Sequence, residues 1–374
     1  MSEALAVGLM SGTSLDGVDA ALVRIGSAGS VGLEAFCTLP YRSDERERVL
    51  DLIASGTVRD LAMLDVDLGS RFADAVSELL ERASIGVADV SFIASHGHTV
   101  WHEPGKSSLQ IGNPAVITER FGLPVVSDFR SRDVAAGGEG APLVPIADVD
   151  LFGSEEHGRL LLNIGGIANV TWVSRRGSTE GLVAFDTGPG VSVIDSLVGK
   201  LREDETYDES GSAAAAGKPR LDVVSQLLLD EYFQKPPPKS TGREKFGSDF
   251  AERLVSLVRE SAPESSDSDL ISTATLFTAE SVRDQVERWI EPDATRELVV
   301  SGGGVHNKTL LGMIGAGLPG WTIRTFEDLF FDGDAKEAVA FAYLGWLTLN
   351  GEGRDLSRVT GAAGKRVLGR ITPA

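Results

Sequence analysis

The chain has 374 residues with 55 acidic and 35 basic side chains, a formal charge of −20 and a pI near 4.7. That length predicts two domains, and 42% apolar residues is ample for a core in each, which excludes a natively disordered chain. The acidic balance repels phosphate backbones and anionic bilayers, so neither nucleic acid nor membrane is an expected partner, and a single cysteine, Cys37, excludes an intrachain disulfide or a thiolate metal site.

The apolar run Leu5 to Met10 is too short, and lacks the basic flank, for a signal peptide. No window reaches the roughly 18 apolar residues of a membrane span, so a soluble, cytoplasmic protein is expected. Leu5 to Met10, the turn Ser11 to Gly17 and the run Val18 to Ile25 predict strand, loop, strand. Within Gly12, Thr13, Ser14, Leu15, Asp16, Gly17, Val18 and Asp19, glycines let backbone N–H groups approach an anion, hydroxyls add donors, and the carboxylates of Asp16 and Asp19 can hold a hydrated Mg²⁺. A plain hairpin turn is the alternative.

Residues 61 to 84 carry a helical apolar stripe, Leu61, Leu64, Leu68, Phe72, Val76, Leu79 and Leu80. Val90 to Ser95 reads as a buried strand ending in Ser95-His96-Gly97-His98. His96 and His98 are expected on one strand face, so with His102 a zinc site, a sugar site and a plain strand end all stay open. Asn113-Pro114 starts a helix that Gly122 closes, and Leu123 to Asp128 is the next strand. Arg130 and Arg132 follow it, able either to clamp a carboxylate or to pair with neighbouring acids.

Near residue 150 the pattern restarts. Leu160 to Leu162, the turn Asn163-Ile-Gly165-Gly166-Ile-Ala-Asn169 and Val170 to Val173 echo the opening hairpin, which predicts two similar α/β domains. The run Leu182 to Phe185 then delivers Asp186 to a strand end before Gly188-Pro189-Gly190 and a helix from about Val191. A carboxylate there is partly desolvated, as a general base requires; the alternative is a cap. Residues 202–220 and 234–249 read as loops, and 271–290 as an amphipathic helix. Leu298 to Ser301 is a strand running into Gly302-Gly303-Gly304, before a helix capped near Asn307, where bare backbone suits a flat ring or a sugar as well as a flexible turn. The last long helix runs from Asp334 to about Leu349, with Asp334 and Glu337 fitting a capping box that accounts for Glu337.

These motifs in order, Gly8 to Asp19, Ser95 to Thr99, Asp128 to Arg130, Gly137 to Pro145, Asn163 to Asn169, Phe185 to Gly190, Ser240 to Glu244, Ser301 to Gly304 and Val359 to Ala362, resemble the anhydro-N-acetylmuramic acid kinases. The resemblance implies an α/β, two-domain actin/hexokinase-like (ribonuclease H-like) fold with an interdomain cleft. Domain I would comprise 1–145 plus about 335–374, and domain II 146–334. It implies hydrolytic opening of the 1,6-anhydro ring of 1,6-anhydro-N-acetylmuramic acid and phosphorylation of O6 during peptidoglycan recycling, with ATP and Mg²⁺ as cofactors. Asp186 then corresponds to the catalytic base. Gly12 to Asp19, Gly165, Gly166, Asn169 and Gly302 to Gly304 correspond to the nucleotide site, and His96, His98, Thr99, Arg130, Asp133, Gly138, Glu139 and Glu337 to the sugar site. Val191 stands where the family commonly has Asn, and Glu139 where it commonly has Gln, so another anhydrosugar such as levoglucosan is a second reading. A nucleotide switch is a third. The expected partner is a small-molecule anhydrosugar, with a homodimer as an option.

Overall fold

The computed structural model describes residues 3–12, 15–292 and 294–374. The chain divides into two compact units, Met1–Phe152 with Ala335–Ala374, and Gly153–Asp334. Strands and helices are numbered in chain order.

The first unit contains β1 Ala4–Ser11, β2 Gly17–Ile25, β3 Val31–Pro40, β4 Phe92–Glu103, β5 Ser107–Ile111 and β6 Val125–Ser127. Its helices are α1 Ser43–Ser55, α2 Val58–Ala83, α3 Pro114–Phe121, α4 Ser131–Ala135 and α5 Val144–Leu151. From the end of the chain come α14 Lys336–Leu349, the two-stranded pair β12 Arg354–Asp355 and β13 Lys365–Arg366, and the edge strand β14 Arg370–Thr372. The main sheet runs β14-β6-β4-β1-β2-β3, with β5 paired to β4. β1, β2 and β3 form an antiparallel meander, while β4 and β6 lie parallel to β1.

Every described side chain of β1 is buried, as its unbroken apolar sequence requires of a strand covered on both faces. One face meets the stripe of α2, where Leu64, Leu68, Phe72, Val76 and Leu79 join Leu5, Val7 and Leu9. The helix starts in a capping box of Thr57 and Asp60. α14 packs on β1 from the Gly8 side, so closely that a Cβ at Gly8 would overlap the Ala338 carbonyl oxygen.

The second unit contains β7 Arg159–Ile164, β8 Ile167–Val173, β9 Val183–Pro189, β10 Glu297–Ser301 and β11 Thr322–Thr325. Its helices are α6 Ser192–Leu201, α7 Ser212–Ala216, α8 Leu221–Leu227, α9 Glu231–Gln234, α10 Ser248–Ser261, α11 Asp267–Trp289, α12 Lys308–Gly317 and α13 Phe326–Leu329. The sheet runs β11-β10-β7-β8-β9, again an antiparallel meander of the first three strands followed by two parallel ones. The strand order of the first unit is therefore repeated. α11 carries the fully buried hydroxyls of Ser272, Thr273, Thr275, Thr278 and Ser281 beside buried Leu270, Ile271 and Phe277.

Several expectations need correction. The break between units falls after Phe152, because α5 belongs with α14: Lys336 pairs with Asp148 at 3.0 Å, and Tyr343 and Arg354 both reach Asp150 Oδ2 at 2.7 Å. Residues 202–220 are not all loop. Buried Asp208 accepts the N–H groups of Ala213 at 2.8 Å and Ala214 at 3.0 Å and so starts α7. No capping box opens α14; its N-cap is Ala335, without a side-chain bond, and Asp334 lies in a 3₁₀ turn. β4 continues through the histidines to Glu103, and β9 carries Asp186 inside the strand as far as Pro189. Among the described residues no helix is long and apolar enough to cross a membrane.

Candidate active site

In the first unit, Gly12 accepts the Leu15 N–H at 3.2 Å across the β1–β2 turn, with Leu15 at φ 57°. Thr13 and Ser14 lie outside the described residues. The side chains of Leu15 and Val18 are buried, so these two offer a ligand only backbone. Asp16 is exposed in the loop, whereas Asp19 sits within β2 and accepts the Thr38 hydroxyl at 2.6 Å. Among the described residues no three His, Cys, Asp or Glu side chains cluster as a metal site.

His96 and His98 do not share a face. Gly97 takes φ 78°, and the β1–β4 register shifts there, which reverses the strand's alternation. The His96 ring lies 4.4 Å from that of Phe341 on α14, while His98 turns to Ser11 Oγ at 3.0 Å and the Tyr41 ring. Arg130 approaches His96 Nε2 with Nε at 3.1 Å and a second guanidinium nitrogen at 2.9 Å. Since a guanidinium only donates, Nε2 is the acceptor and the ring proton resides on Nδ1, which donates to the Gly97 carbonyl at 3.0 Å. Burial, helped by the Arg130 charge, holds the His96 pKa well below the usual range, and burial takes His98 to about 4. Both rings are neutral at physiological pH.

Arg130 has no ion pair among the described residues; the neighbouring acid Asp128 lies 3.2 Å from Arg370 instead. Burial lowers the Arg130 pKa, against the pull of Glu337 and Asp133. Glu337 keeps a face open to solvent yet is closely surrounded by protein, and the resulting desolvation raises its pKa, with Asp19 and Asp148 adding to the rise and Lys336 and Arg130 opposing it. The structure thus gathers His96, Arg130, Glu337 and Asp19. Asp133 stands apart from its expected role, because it is fully buried with Oδ1 on the Thr360 hydroxyl at 2.5 Å and Oδ2 on the Gly140 N–H at 2.7 Å. It holds the 133–140 loop, and Gly138 packs so tightly against it that a Cβ would overlap the carboxylate. Exposed Glu139 is fixed through its backbone, its N–H donating to Thr360 O at 2.8 Å, and Thr99 accepts Gln110 Nε2 at 3.2 Å across the β4–β5 hairpin.

In the second unit, two turns are knitted together. Gly190 N donates to Gly166 O and Val191 N to Gly165 O, both at 2.9 Å, and the Thr278 hydroxyl holds Gly190 O at 2.8 Å. A Cβ at Gly190 would overlap Gly165 O. Asn169 is the β8 partner of Asp186 on β9. Gly302, at φ 82°, lets the chain pass against Asn163, and Gly303 has open space around its α-carbon before Asn307 caps α12 through the Leu310 N–H at 2.9 Å.

Asp186 is a strongly perturbed carboxylate that stays partly exposed, as is Asp195 on α6, whose pKa burial also raises to about 6. Burial, with a smaller push from Glu244, raises the Asp186 pKa to about 6 despite the Thr241 N–H on Oδ2 at 2.9 Å. Oδ1 has no hydrogen-bond partner among the described residues. The Asp186 backbone is held by Lys239 O, which accepts its N–H at 3.1 Å, and by the Tyr232 hydroxyl, which donates to its carbonyl at 2.6 Å. Thr241, Lys239 and Tyr232 were not assigned from sequence. The only signal was the Ser240-Thr241-Gly242-Arg243-Glu244 motif, to which no chemistry attached.

A five-strand order repeated in two units, each opened by a glycine-turned hairpin, with a desolvated aspartate on the third strand of the second sheet's meander, defines the actin/hexokinase-like, ribonuclease H-like class of two-domain α/β proteins. The family profile described as "Anhydro-N-acetylmuramic acid kinase" matches residues 4–374. The anhydro-N-acetylmuramic acid kinase of Caldanaerobacter subterraneus subsp. tengcongensis is 42% identical, covering 99% of this chain and 97% of that protein. That of Salinibacter ruber is 42% identical over 98% of this chain and 95% of its own. Component A of the Acidaminococcus fermentans (R)-2-hydroxyglutaryl-CoA dehydratase covers 91% of this chain and 96% of its own at 15% identity with a TM-score of 0.48; the fold assignment rests on the strand orders and not on that likeness. The chain belongs to the anhydro-N-acetylmuramic acid kinase family, and with it to the enzymes that transfer phosphoryl groups.

Proposed function

We propose that this enzyme cleaves the 1,6-anhydro ring of 1,6-anhydro-N-acetylmuramic acid with water and transfers the γ-phosphoryl group of ATP to O6. The products are N-acetylmuramic acid 6-phosphate and ADP, a step of peptidoglycan recycling in the cytoplasm. The observation that carries this reading is Asp186, a carboxylate with one oxygen held by Thr241 N, the other without a hydrogen-bond partner among the described residues, and a pKa raised to about 6.

A base of that strength is ionised at neutral pH and still accepts a proton well. Asp186 Oδ1 takes the proton of the water that attacks C1. The C1–O6 bond breaks, and O6 is captured by phosphorus instead of by an acid, so one carboxylate suffices where ordinary glycosidases use two. The phosphoryl half then depends on positioning and charge neutralisation. Backbone N–H groups of Gly12 to Gly17 and of Gly165 and Gly166 would hold phosphates, and the bare backbone of Gly302 to Gly304 the adenosine. Mg²⁺ fits the donor chemistry, because it is commonly held by one or two carboxylates, waters and substrate phosphates; Asp19 with Asp16 would hold it and supply charge neutralisation. Arg130, a cation with no ion-pair partner among the described residues, would take the lactyl carboxylate.

The test is ADP release with ATP and Mg²⁺, with and without anhydro-N-acetylmuramic acid, and with neutral levoglucosan as the comparison sugar. Stimulation by the muramic sugar, abolished by EDTA, is expected. Equal turnover with and without every anhydrosugar would overturn the kinase reading of this substrate.

A further inference from the structure

The segment that faces Asp186 is itself pinned from behind. Lys239 emerges from Pro236-Pro237-Pro238 and sends its ammonium inward, donating to Tyr232 O at 3.0 Å and to Gln285 Oε1 at 2.5 Å. The same ammonium lies over the Tyr232 ring at 4.6 Å and the Phe185 ring at 5.9 Å. Gln285 is fully buried on α11 and cannot move to follow a slack lysine, since its amide donates to Phe233 O at 3.0 Å and to Asp284 Oδ2 at 2.7 Å.

Two residues of the segment grip Asp186 in two ways: Lys239 O accepts the backbone N–H, and Thr241 N–H donates to Oδ2. The pinned end and the gripping end are two residues apart, so displacement of one displaces the other. We propose that Lys239 is a positioning residue, which by fixing residues 239–241 to Gln285 and Tyr232 O keeps the Thr241 N–H on Asp186 Oδ2 and leaves Oδ1 as the proton acceptor. The inference rests on the reading of Asp186 as the base.

The donor from Thr241 stabilises the carboxylate anion, so its loss weakens ionisation and moves the proton affinity of Asp186 upward. The charged and titratable groups facing this network are Glu244 and Tyr232 toward Asp186, Asp284, Arg288 and Lys235 toward Lys239, and Lys245, paired with Asp230, over the Tyr232 ring at 5.9 Å. Burial lowers the Lys239 pKa to about 8, so at neutral pH the ammonium is still mostly charged.

The experiment compares Lys239→Met, which keeps the length and the packing over Tyr232 and removes the ammonium, with Lys239→Arg, which keeps donors. For the full chain, kcat against pH, ADP affinity by calorimetry and thermal midpoint are measured. Lys239→Met is expected to lower kcat about tenfold, as for one charge-assisted hydrogen bond, and to move the acid limb of kcat upward by roughly half a pH unit or more, with ADP affinity unchanged. Lys239→Arg should recover much of both. A folded Lys239→Met with an unshifted acid limb overturns the proposal. If that variant does not fold, Gln285→Met, which removes the side-chain acceptor of the Lys239 ammonium and keeps the length, is read for the same kcat loss and acid-limb shift at constant ADP affinity, and an unshifted limb overturns it. Asp186→Asn runs beside them: turnover retained there defeats the base reading itself, whereas an inactive Asp186→Asn with a normal Lys239→Met defeats only the pin.

Discussion

Burial raises the Asp186 pKa from 3.8 to about 6, and that single shift has two measurable consequences. As a base it must be ionised, so kcat should fall below about pH 6 along a one-proton limb. Asp186→Asn keeps the oxygen that accepts Thr241 N and removes the proton acceptor, with an expected loss of roughly 10²- to 10⁴-fold in kcat and nucleotide binding intact. Near-normal turnover would reduce Asp186 to a structural residue of β9. The second consequence is in stability. A native pKa above the unfolded one means the folded chain binds more protons between about pH 4 and 6, so the contribution is present below pH 4 and lost as pH rises through 6. Asp186→Asn should therefore raise the thermal midpoint at pH 8, by a stabilisation of order 1 kcal/mol, and change it little at pH 4. Equal midpoints for the two proteins at pH 8 would show that the carboxylate is not desolvated.

Arg130 poses the other residue-scale question. The guanidinium is aimed by His96 Nε2 and tied to no carboxylate among the described residues, so Arg130→Ala should lower kcat/KM for the muramic sugar by about ten- to a hundredfold and leave levoglucosan turnover nearly unchanged. A parallel loss with both sugars would mean that Arg130 only supports the strand end. The pairing with His96 was not legible in sequence, since the two lie 34 positions apart.

At the scale of elements, the β1–β2 and β7–β8 hairpins and the helices α2, α11 and α14 were legible because each is written locally, in contiguous apolar runs, glycine turns or a 3.6-residue stripe, whereas α1, α10, β3 and β5 were not assigned. What was not legible is set by contacts distant in sequence or by one backbone torsion. Asp208 starts α7 in a stretch whose composition reads as loop, and Gly97 at φ 78° sends His96 and His98 to opposite faces although alternation puts them on one. Asp186 was legible as a partly desolvated carboxylate on a strand, though within β9 and not at its end, and its grip by residues 239 to 241 was not legible, because nothing local relates the two segments. The knitted turns at Gly165 and Gly190 permit a direct test. Gly190→Ala forces a methyl group onto the Gly165 carbonyl, and backbone against backbone cannot yield cheaply. A destabilisation of about 1–3 kcal/mol or more is expected, read as a lower denaturant midpoint together with lost activity. A midpoint within error of the parent would show the two turns to be looser than described.

For the molecule as a whole, a net charge of −20 sets a field through which an anionic nucleotide and an anionic sugar must both approach. Oppositely charged enzyme–substrate pairs lose rate with salt. Here the sign is opposite, and kcat/KM for ATP should rise as ionic strength increases from about 10 to 150 mM, where screening shortens to about 8 Å. A steady fall over that range would show that local cations outweigh the global charge.

The first unit is also discontinuous in the chain, drawing α14 from beyond the second. Polypeptides leave the ribosome from the N-terminus, so Gly153–Asp334 possesses all its strands before α14 has been translated. Until then the Gly8 side of β1 lacks the helix that packs there, and Phe341, whose ring packs against that of His96, does not yet exist. A chaperone that captures naked apolar surface on nascent chains has its opening in that interval, and it closes when residues 335–374 emerge.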